Sequence, residues 1–216
     1  MTTLRDGKTA MTPRTVHIAG DSTAAAKPAS AAPMSGWGVA LPRVIGGGME
    51  VANHARDGRS SLSFIAEGRL AALVAALRPG DLVLIQFGHN DQKTEDPTRY
   101  TDPDTTYRSN LLRMVTAARK ADAVPVLLTS VERRRFGPHG TALSTHGRYA
   151  DAVRAMAAEE RAALIDVQAE SRALWQRMGP EGSRAAFMPD DIHVTPLGAT
   201  EVARMVTNGM AAAGLI

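Results

Sequence analysis

Two continuous apolar runs constrain the fold of this chain more than any other feature. They are Asp81–Phe87 (DLVLIQF) and Val124–Val131 (VPVLLTSV), and such runs are typical of strands buried on both faces of a sheet. Segments with apolar residues at helical spacing lie between and beside them, as in Ser60–Leu77 and Pro196–Ala213. Strands that alternate with amphipathic helices predict a three-layer α/β fold with a mostly parallel sheet.

The rest of the chain continues this alternation. The further predicted strands are Thr15–Ala19, Glu50–Ala55 and Ala163–Val167. The further predicted helices are Asp104–Ala121, Gly147–Arg161 and Gln168–Met178. Thr195 is expected to cap the final helix, with Pro196 as its first residue. With no repeat or long linker, the 216 residues are predicted to form one domain, residues 1–216, in which residues 1–13 are a flexible extension.

The composition argues against several kinds of protein. The chain has no cysteine, which rules out disulfides, thiolate nucleophiles and cysteine-bound zinc. A net charge of +3, from 25 Lys and Arg against 22 Asp and Glu, is small for a nucleic-acid binder, so no such partner is expected. No apolar run reaches the roughly 18 residues of a membrane span, so no membrane partner is expected. The first residues lack the apolar region of a secretory signal, which predicts a cytoplasmic protein, or a secreted one if a leader has been removed.

Polar motifs stand directly after predicted strands, where the ligands of parallel sheets bind. Gly20-Asp21-Ser22-Thr23 follows the first strand, so the Ser22 hydroxyl could lie free on a strand-to-helix turn, although Asp and Ser are also ordinary helix caps. Gly88-His89-Asn90-Asp91 follows the strand that ends at Phe87. The Asn90 amide could donate to a developing oxyanion, or the motif could be only a turn.

Two further motifs complete the set. Asp190 and His193 can share one turn, so that the carboxylate holds the imidazole in one tautomer while the other ring nitrogen faces a serine. Gly58, after the second strand, can bring a backbone N–H close to a ligand. Each motif taken alone also fits an ordinary loop. Together, the four motifs supply a nucleophile, oxyanion donors and a base with its orienting acid, which is the set needed for acyl transfer.

These motifs resemble those of the SGNH hydrolases, also called the GDSL family, over nearly the whole chain. The four letters of the family name fall on Ser22, Gly58, Asn90 and His193, while Thr23 stands where the GDSL signature has leucine. Further stretches resemble the rhamnogalacturonan acetylesterase subgroup, namely GDST at 20–23, GWG at 36–38, QFGHND at 86–91, TSVERRRF at 129–136 and THG at 145–147 before Tyr149.

The resemblance implies a flavodoxin-like sheet of five parallel strands in an α/β/α sandwich. It implies Ser22 as the nucleophile and His193 as the base. The family spacing Asp-x-x-His selects Asp190 as the orienting acid and leaves Asp191 to solvent. The implied oxyanion hole consists of the N–H groups of Ser22, Gly58 and the Asn90 side chain. The implied reaction removes acetyl groups from the sugars of a pectic polysaccharide or its oligosaccharides, with no metal or organic cofactor.

Three other residues are candidates for substrate contact. Arg133 and Arg135 follow the fourth strand and could pair with the carboxylates of galacturonate, or could belong to a solvated charge run beside Glu132. Trp37 could stack on a sugar ring, but a chain with only 4% aromatic residues could equally need it in the core.

Three alternatives remain open at the level of the sequence. The triad could serve a xylan deacetylase, a thioesterase or a lipid esterase. Asp21, His89, Asp91 and His193 have the residue types of a metal-dependent hydrolase, although their spacing matches no ligand motif. A carbohydrate-binding module that has lost activity would keep the fold, but the retention of all four motifs counts against it. No oligomeric state is indicated.

Overall fold

Five parallel strands form the central sheet of the computed structural model, which describes residues 14–46 and 48–216. The strands are β1 (Thr15–Gly20), β2 (Glu50–Asn53), β3 (Leu82–Gln86), β4 (Val124–Leu128) and β5 (Ala163–Ile165). Their order across the sheet is β2-β1-β3-β4-β5, and every neighbouring pair is parallel. The predicted five-stranded parallel sheet is therefore confirmed. The extension expected at residues 1–13 lies outside the described residues.

Helices cover both faces of this sheet. They are α1 (Trp37–Val44), α2 (Ser61–Ala66), α3 (Arg69–Ala76), α4 (Thr106–Lys120), α5 (Gly147–Glu159), α6 (Val167–Gly182) and α7 (Pro196–Ala212). Helices α1, α6 and α7 pack on one face, and α2 to α5 pack on the other, which gives the predicted three layers. None of these described helices is long and apolar enough to cross a membrane.

Alternating side chains of the strands fill two separate cores. In β1, Val16 and Ile18 belong to the core under α1 and α7, whereas Ala19 belongs to the core on the opposite face. In β3, Leu84 and Ile85 divide in the same way. Successive residues of a strand point to opposite faces, so a strand covered on both sides needs apolar residues at nearly every position. This requirement explains the two continuous apolar runs in the sequence.

The helix predicted over Ser60–Leu77 is in fact two helices. Gly68 has a φ of 72°, in the left-handed region, and it separates α2 from α3. Ser60 is the N-cap of α2, where its side chain accepts from the Ser63 N–H. The apolar spacing continues through the break because Phe64 and Leu73 fill the same core, so the sequence pattern alone did not reveal it.

The sequence pattern missed α1, whereas it placed the N-cap of α7 at the correct residue but not the bond of its side chain. Helix α1 has only eight residues and contains Pro42, so it carries a weak helical signal. Thr195 stands at the N-cap position of α7, but its hydroxyl donates to the Ala185 carbonyl and does not accept from the helix. Pro196 is the first residue of α7, as predicted.

Candidate active site

Ser22 lies on a tight turn at the carboxyl end of β1. The N–H groups of Ala24 and Ala25 close the turn by donating to the Asp21 carbonyl at 3.2 and 3.1 Å. The buried Asp21 side chain accepts from the N–H and the hydroxyl of Thr23, and burial raises its pKa. No α-helix follows the turn directly, which differs from the strand-to-helix turn that the sequence suggested.

Trp37 supports this turn from the core. Its side chain is fully buried, and its Nε1 donates to Gln86 Oε1 at 2.7 Å, an atom that also accepts from the Thr23 hydroxyl. A Cβ on Gly36 would lie 2.2 Å from the Ala25 carbonyl oxygen, so only glycine permits the close approach of α1 to the turn. The sugar-stacking role considered for Trp37 is wrong, because a ring with no exposed surface cannot stack on a ligand.

A chain of hydrogen bonds joins Ser22, His193 and Asp190. The Ser22 hydroxyl lies 2.9 Å from His193 Nε2, and His193 Nδ1 lies 2.6 Å from Asp190 Oδ2. Asp190 Oδ1 accepts from the N–H groups of Ile192 and His193, each at 2.9 Å. Partial burial by itself raises the pKa of Asp190, but the bonds from His193 and Ile192 together outweigh it and hold the pKa below its usual value. An ionised Asp190 keeps the proton on Nδ1, so Nε2 is able to accept the serine proton.

Asp191 takes no part in this chain of hydrogen bonds, yet it is not left to solvent as the family spacing suggested. Its carboxylate pairs with Arg134 at 2.7 Å and with Arg135 at 3.0 Å. Its carbonyl accepts from the Arg134 N–H at 2.9 Å, so the arginines hold the loop that precedes His193. Arg135 is bound in this loop and does not line the cavity beside Ser22, so the substrate contact considered for Arg135 is not present.

Lys27 fastens the Ser22 turn to the loop that carries Gly58. Its ammonium donates to the Ser22 carbonyl at 2.6 Å and to the Asp57 carboxylate, and its side chain is only 3% exposed. Gly58 has a φ of 74°, a conformation that favours glycine. Among the described residues, none accepts from the backbone N–H of Ser22 or of Gly58. Both groups can therefore donate to a ligand oxygen. No pattern in the sequence indicates this role for Lys27, since lysines are rarely buried.

Asn90 and Asp91 fasten the loop after β3 to the loop after β2. The Asn90 amide donates to the Arg59 carbonyl at 3.0 Å, and this bond uses only one of its two N–H groups. Asp91 is fully buried and accepts from the N–H and the hydroxyl of Ser61 and from the Thr101 hydroxyl. Burial raises the pKa of Asp91 to about 7, although the bonds from Ser61 and Thr101 oppose the rise. The loops that carry the candidate oxyanion donors are thus joined by side chains.

A cavity of about 290 Å³ opens in front of Ser22 and His193. The other residues that line it are His89, Asn90, Gln92, Lys93, Glu95, Arg133 and Ile192. A larger cavity, of about 470 Å³, begins at Gly58, and neither Ser22 nor His193 lines it. We therefore assign the chemistry to the smaller cavity, because both partners of the serine–histidine hydrogen bond face it.

Two buried histidines that the sequence had not joined pack against each other beside this cavity. The rings of His89 and His146 meet edge to face with centroids 4.5 Å apart, and each Nε2 donates to the Val131 carbonyl. Burial lowers the pKa of His89 well below its usual value and lowers that of His146 to about 3, and the nearby Arg133 charge lowers both further. Both rings are therefore neutral in the folded protein at neutral pH.

The neutral His146 should make the protein less stable in acid. Its pKa is about 3 when folded and 6.5 when unfolded, so only the unfolded chain takes up this proton between those values. The free energy of unfolding therefore carries no penalty from His146 above pH 6.5, and it decreases as the pH falls from 6.5 towards 3. We expect His146→Gln to reduce the slope of the unfolding free energy against pH by roughly 1 kcal/mol per pH unit near pH 5.

Urea unfolding between pH 4.5 and 7.5 measures this slope. The matched control is His139→Gln, which changes an exposed histidine and should leave the slope as in the wild type. An unchanged slope in His146→Gln would show that His146 takes up its proton in the folded state too.

The metal-site alternative does not fit this arrangement. Asp21 is bound to Thr23, and His193 lies between Ser22 and Asp190. Within residues 14–46 and 48–216, no three His, Asp or Glu side chains are grouped so that they could hold a metal ion.

Comparison with known proteins agrees with the sequence motifs. The model of the GDSL-like lipase/acylhydrolase family matches residues 18–200. The chain belongs to this family. This GDSL-family chain is 41% identical to the rhamnogalacturonan acetylesterase RhgT of Bacillus subtilis (strain 168), over 94% of this chain and 92% of that protein. It is 36% identical to the probable rhamnogalacturonan acetylesterase YesY of the same organism, over 93% and 94% of the two chains. The predicted family and the predicted class, a carboxylic ester hydrolase, are thereby confirmed.

Solved structures of other proteins share the fold. The protein YXIM from Bacillus subtilis superposes with a TM-score of 0.85 at 26% identity, over 94% of this chain and 57% of that chain. The acetylxylan esterase Axe2 from Geobacillus stearothermophilus superposes with a TM-score of 0.71 at 19% identity, over 92% and 94% of the two chains. At 19% identity, the second likeness shows the fold alone.

Proposed function

We propose that this GDSL-family chain is a serine esterase that removes O-acetyl groups from rhamnogalacturonan or its oligosaccharides. The observation that carries the proposal is the hydrogen-bonded chain from Ser22 through His193 to Asp190 at a cavity open to solvent. The sugar is proposed from the two relatives with 41% and 36% identity, which share nearly the full length of this chain.

The first half of the proposed reaction transfers the acetyl group to Ser22. The serine oxygen attacks the ester carbonyl carbon while His193 Nε2 takes the hydroxyl proton. The N–H groups of Ser22, Gly58 and the Asn90 side chain donate to the carbonyl oxygen as its negative charge develops. His193 then gives the proton to the sugar oxygen as the ester C–O bond breaks. The sugar leaves with a free hydroxyl, and acetyl-Ser22 remains.

The second half of the reaction returns Ser22 to its starting state. Water attacks the acetyl carbonyl carbon and gives its proton to His193 Nε2. The bond to the serine oxygen breaks, His193 reprotonates that oxygen, and acetic acid leaves and ionises to acetate in solution. Asp190 stabilises the positive imidazolium ring that forms in both halves.

Acetate release from a panel of esters tests the proposed function. The panel consists of acetylated rhamnogalacturonan, its short oligosaccharides and acetylated xylan, each assayed with and without a serine-directed phosphonate. We expect the highest kcat/KM on the rhamnogalacturonan esters and full loss of activity with the phosphonate. Higher kcat/KM on xylan would contradict the proposed sugar. Activity that survives the phosphonate would contradict the serine mechanism.

Asn90→Ala should lower the kcat for an aryl acetate by about a hundredfold to a thousandfold, with little change in KM. One oxyanion donor acts mainly in the transition state, where the charge on the carbonyl oxygen is greatest. Steady-state kinetics with the purified variant measures both constants. An effect on KM alone would mean that Asn90 binds the substrate without stabilising the oxyanion.

A further inference from the structure

Arg133 presents part of its guanidinium to the cavity that Ser22 and His193 line. Its Nη1 donates to Gln92 Oε1 and to the carbonyl and hydroxyl oxygens of Thr145, at 3.1–3.2 Å. All three acceptors are neutral. No described residue accepts a hydrogen bond from Nε or Nη2. Neither nitrogen is buried without a partner, so both are open to solvent. These two nitrogens form the edge of a guanidinium that binds a carboxylate through two parallel hydrogen bonds.

The three consecutive arginines have different surroundings. Arg134 and Arg135 both pair with Asp191, and neither lines the cavity. Arg133 has no ion pair within the described part of the chain, although it is the arginine that lines the cavity. Arg133 is therefore the arginine of this run that combines a place in the cavity wall with a guanidinium that no described carboxylate binds.

The charge of Arg133 is not balanced by the walls of the cavity. Lys93 and Glu95 contribute one charge of each sign, and His89 is neutral. Outside the cavity wall, the charges of Glu132 and of the buried Asp21 partly oppose that of Arg133, but neither carboxylate forms an ion pair with the guanidinium. Burial lowers the pKa of Arg133, which reflects the cost of holding this charge away from water.

The guanidinium is also held in a fixed orientation. Gln92, which accepts from Nη1, is itself fixed because its amide donates to His146 Nδ1 at 2.7 Å. Thr145 is fixed by Glu132, which is 1% exposed. A side chain that is oriented before the ligand arrives loses little freedom on binding, so its hydrogen bonds contribute more of their strength to affinity.

We propose that Arg133 binds the carboxylate of a uronic acid in the substrate, so that the cavity selects acetylated uronates over acetylated neutral sugars. This inference rests on the proposed function, because it names the sugar ring that the same cavity holds. The free Nε and Nη2 edge takes both carboxylate oxygens, and Ser22 attacks an acetyl group on the same ring or its neighbour.

A matched pair of substrates tests the inference. The pair consists of an acetylated rhamnogalacturonan oligosaccharide and the same compound with its galacturonate carboxylates methyl-esterified. We expect wild-type kcat/KM to be about ten- to a hundredfold higher for the acid, mainly through KM, since the contact is made in the ground state and the transition state alike. In Arg133→Gln this preference should fall to near one. Arg135→Gln is the matched control and should keep the wild-type preference.

Two results would overturn the role of Arg133. One is equal kcat/KM for the acid and the methyl ester in the wild type, and the other is a preference that persists in Arg133→Gln. Either result leaves the proposed esterase function standing as long as acetate is released. Absence of acetate from both compounds would instead contradict the proposed function.

Inhibition of the wild-type protein gives a second measurement that needs no variant. Unacetylated galacturonate oligosaccharide should inhibit aryl acetate hydrolysis at least tenfold more strongly than its methyl ester, and the difference should shrink as salt is added. Equal inhibition by the two compounds would overturn the inference even if Arg133→Gln does not fold or no sugar ester is hydrolysed.

Discussion

Ser22→Ala should lower the turnover of an aryl acetate by several orders of magnitude while leaving the free energy of unfolding nearly unchanged. Removal of the nucleophile abolishes the covalent step, and in one serine protease such removals cost about a million-fold in kcat. The Ser22 hydroxyl makes its contact with His193 and none with the core, so its loss should not disturb packing. Steady-state rates and urea unfolding of the same preparation measure both effects.

Ser30→Ala is a matched control for this variant, since Ser30 is exposed and lies outside the cavity. It should retain wild-type turnover. If Ser22→Ala keeps activity within tenfold of the wild type, Ser22 is not the nucleophile and the proposed mechanism fails.

Asp190→Asn should lower turnover by at least a hundredfold. An ionised Asp190 holds the Nδ1 proton of His193, and an asparagine there can favour the wrong tautomer, which in a serine protease costs about ten-thousand-fold. The Asp190 side chain is 43% exposed, so water can partly replace it, and we expect a smaller loss here. Rates on an aryl acetate at the pH optimum measure the effect.

Asp191→Asn is the comparison variant, and it is expected to change the stability of the protein more than its turnover. It removes a charge from the pairs with Arg134 and Arg135, so it should lower the free energy of unfolding by about 1 kcal/mol. Its turnover should change only a few-fold, because Asp191 does not contact His193. If Asp191→Asn loses more activity than Asp190→Asn, the assignment of the orienting acid must move by one residue.

The sequence predicted the placement of the polar motifs because the sheet pattern located the strand ends. Ser22 and Asn90 follow β1 and β3 at the same edge of the sheet, and the Asp-x-x-His spacing brings Asp190 to His193. The contact between Ser22 and His193 joins residues 171 positions apart, and the family resemblance was needed to anticipate it. The catalytic roles of these residues stay predictions.

The sequence could not predict contacts between side chains that lie far apart in the chain. Trp37 is buried because α1 comes close to the Ser22 turn, and nothing in its neighbours in sequence shows this. The three consecutive arginines are equivalent in the sequence, but Asp191 forms ion pairs with Arg134 and Arg135. Arg133 forms none with the described residues. The position of Asp191 relative to Arg134, 57 residues earlier, is set by tertiary packing alone.

The buried ammonium of Lys27 makes local unfolding cooperative around Ser22. Opening of the Ser22 turn, or of the Asp57 loop, would leave this cation short of an acceptor in surroundings that exclude water. Opening either segment alone therefore costs the free energy of a buried ammonium that has lost an acceptor. Opening both segments together exposes the ammonium to water and removes that cost. The two loops, which follow different strands, therefore behave as one unit of local stability.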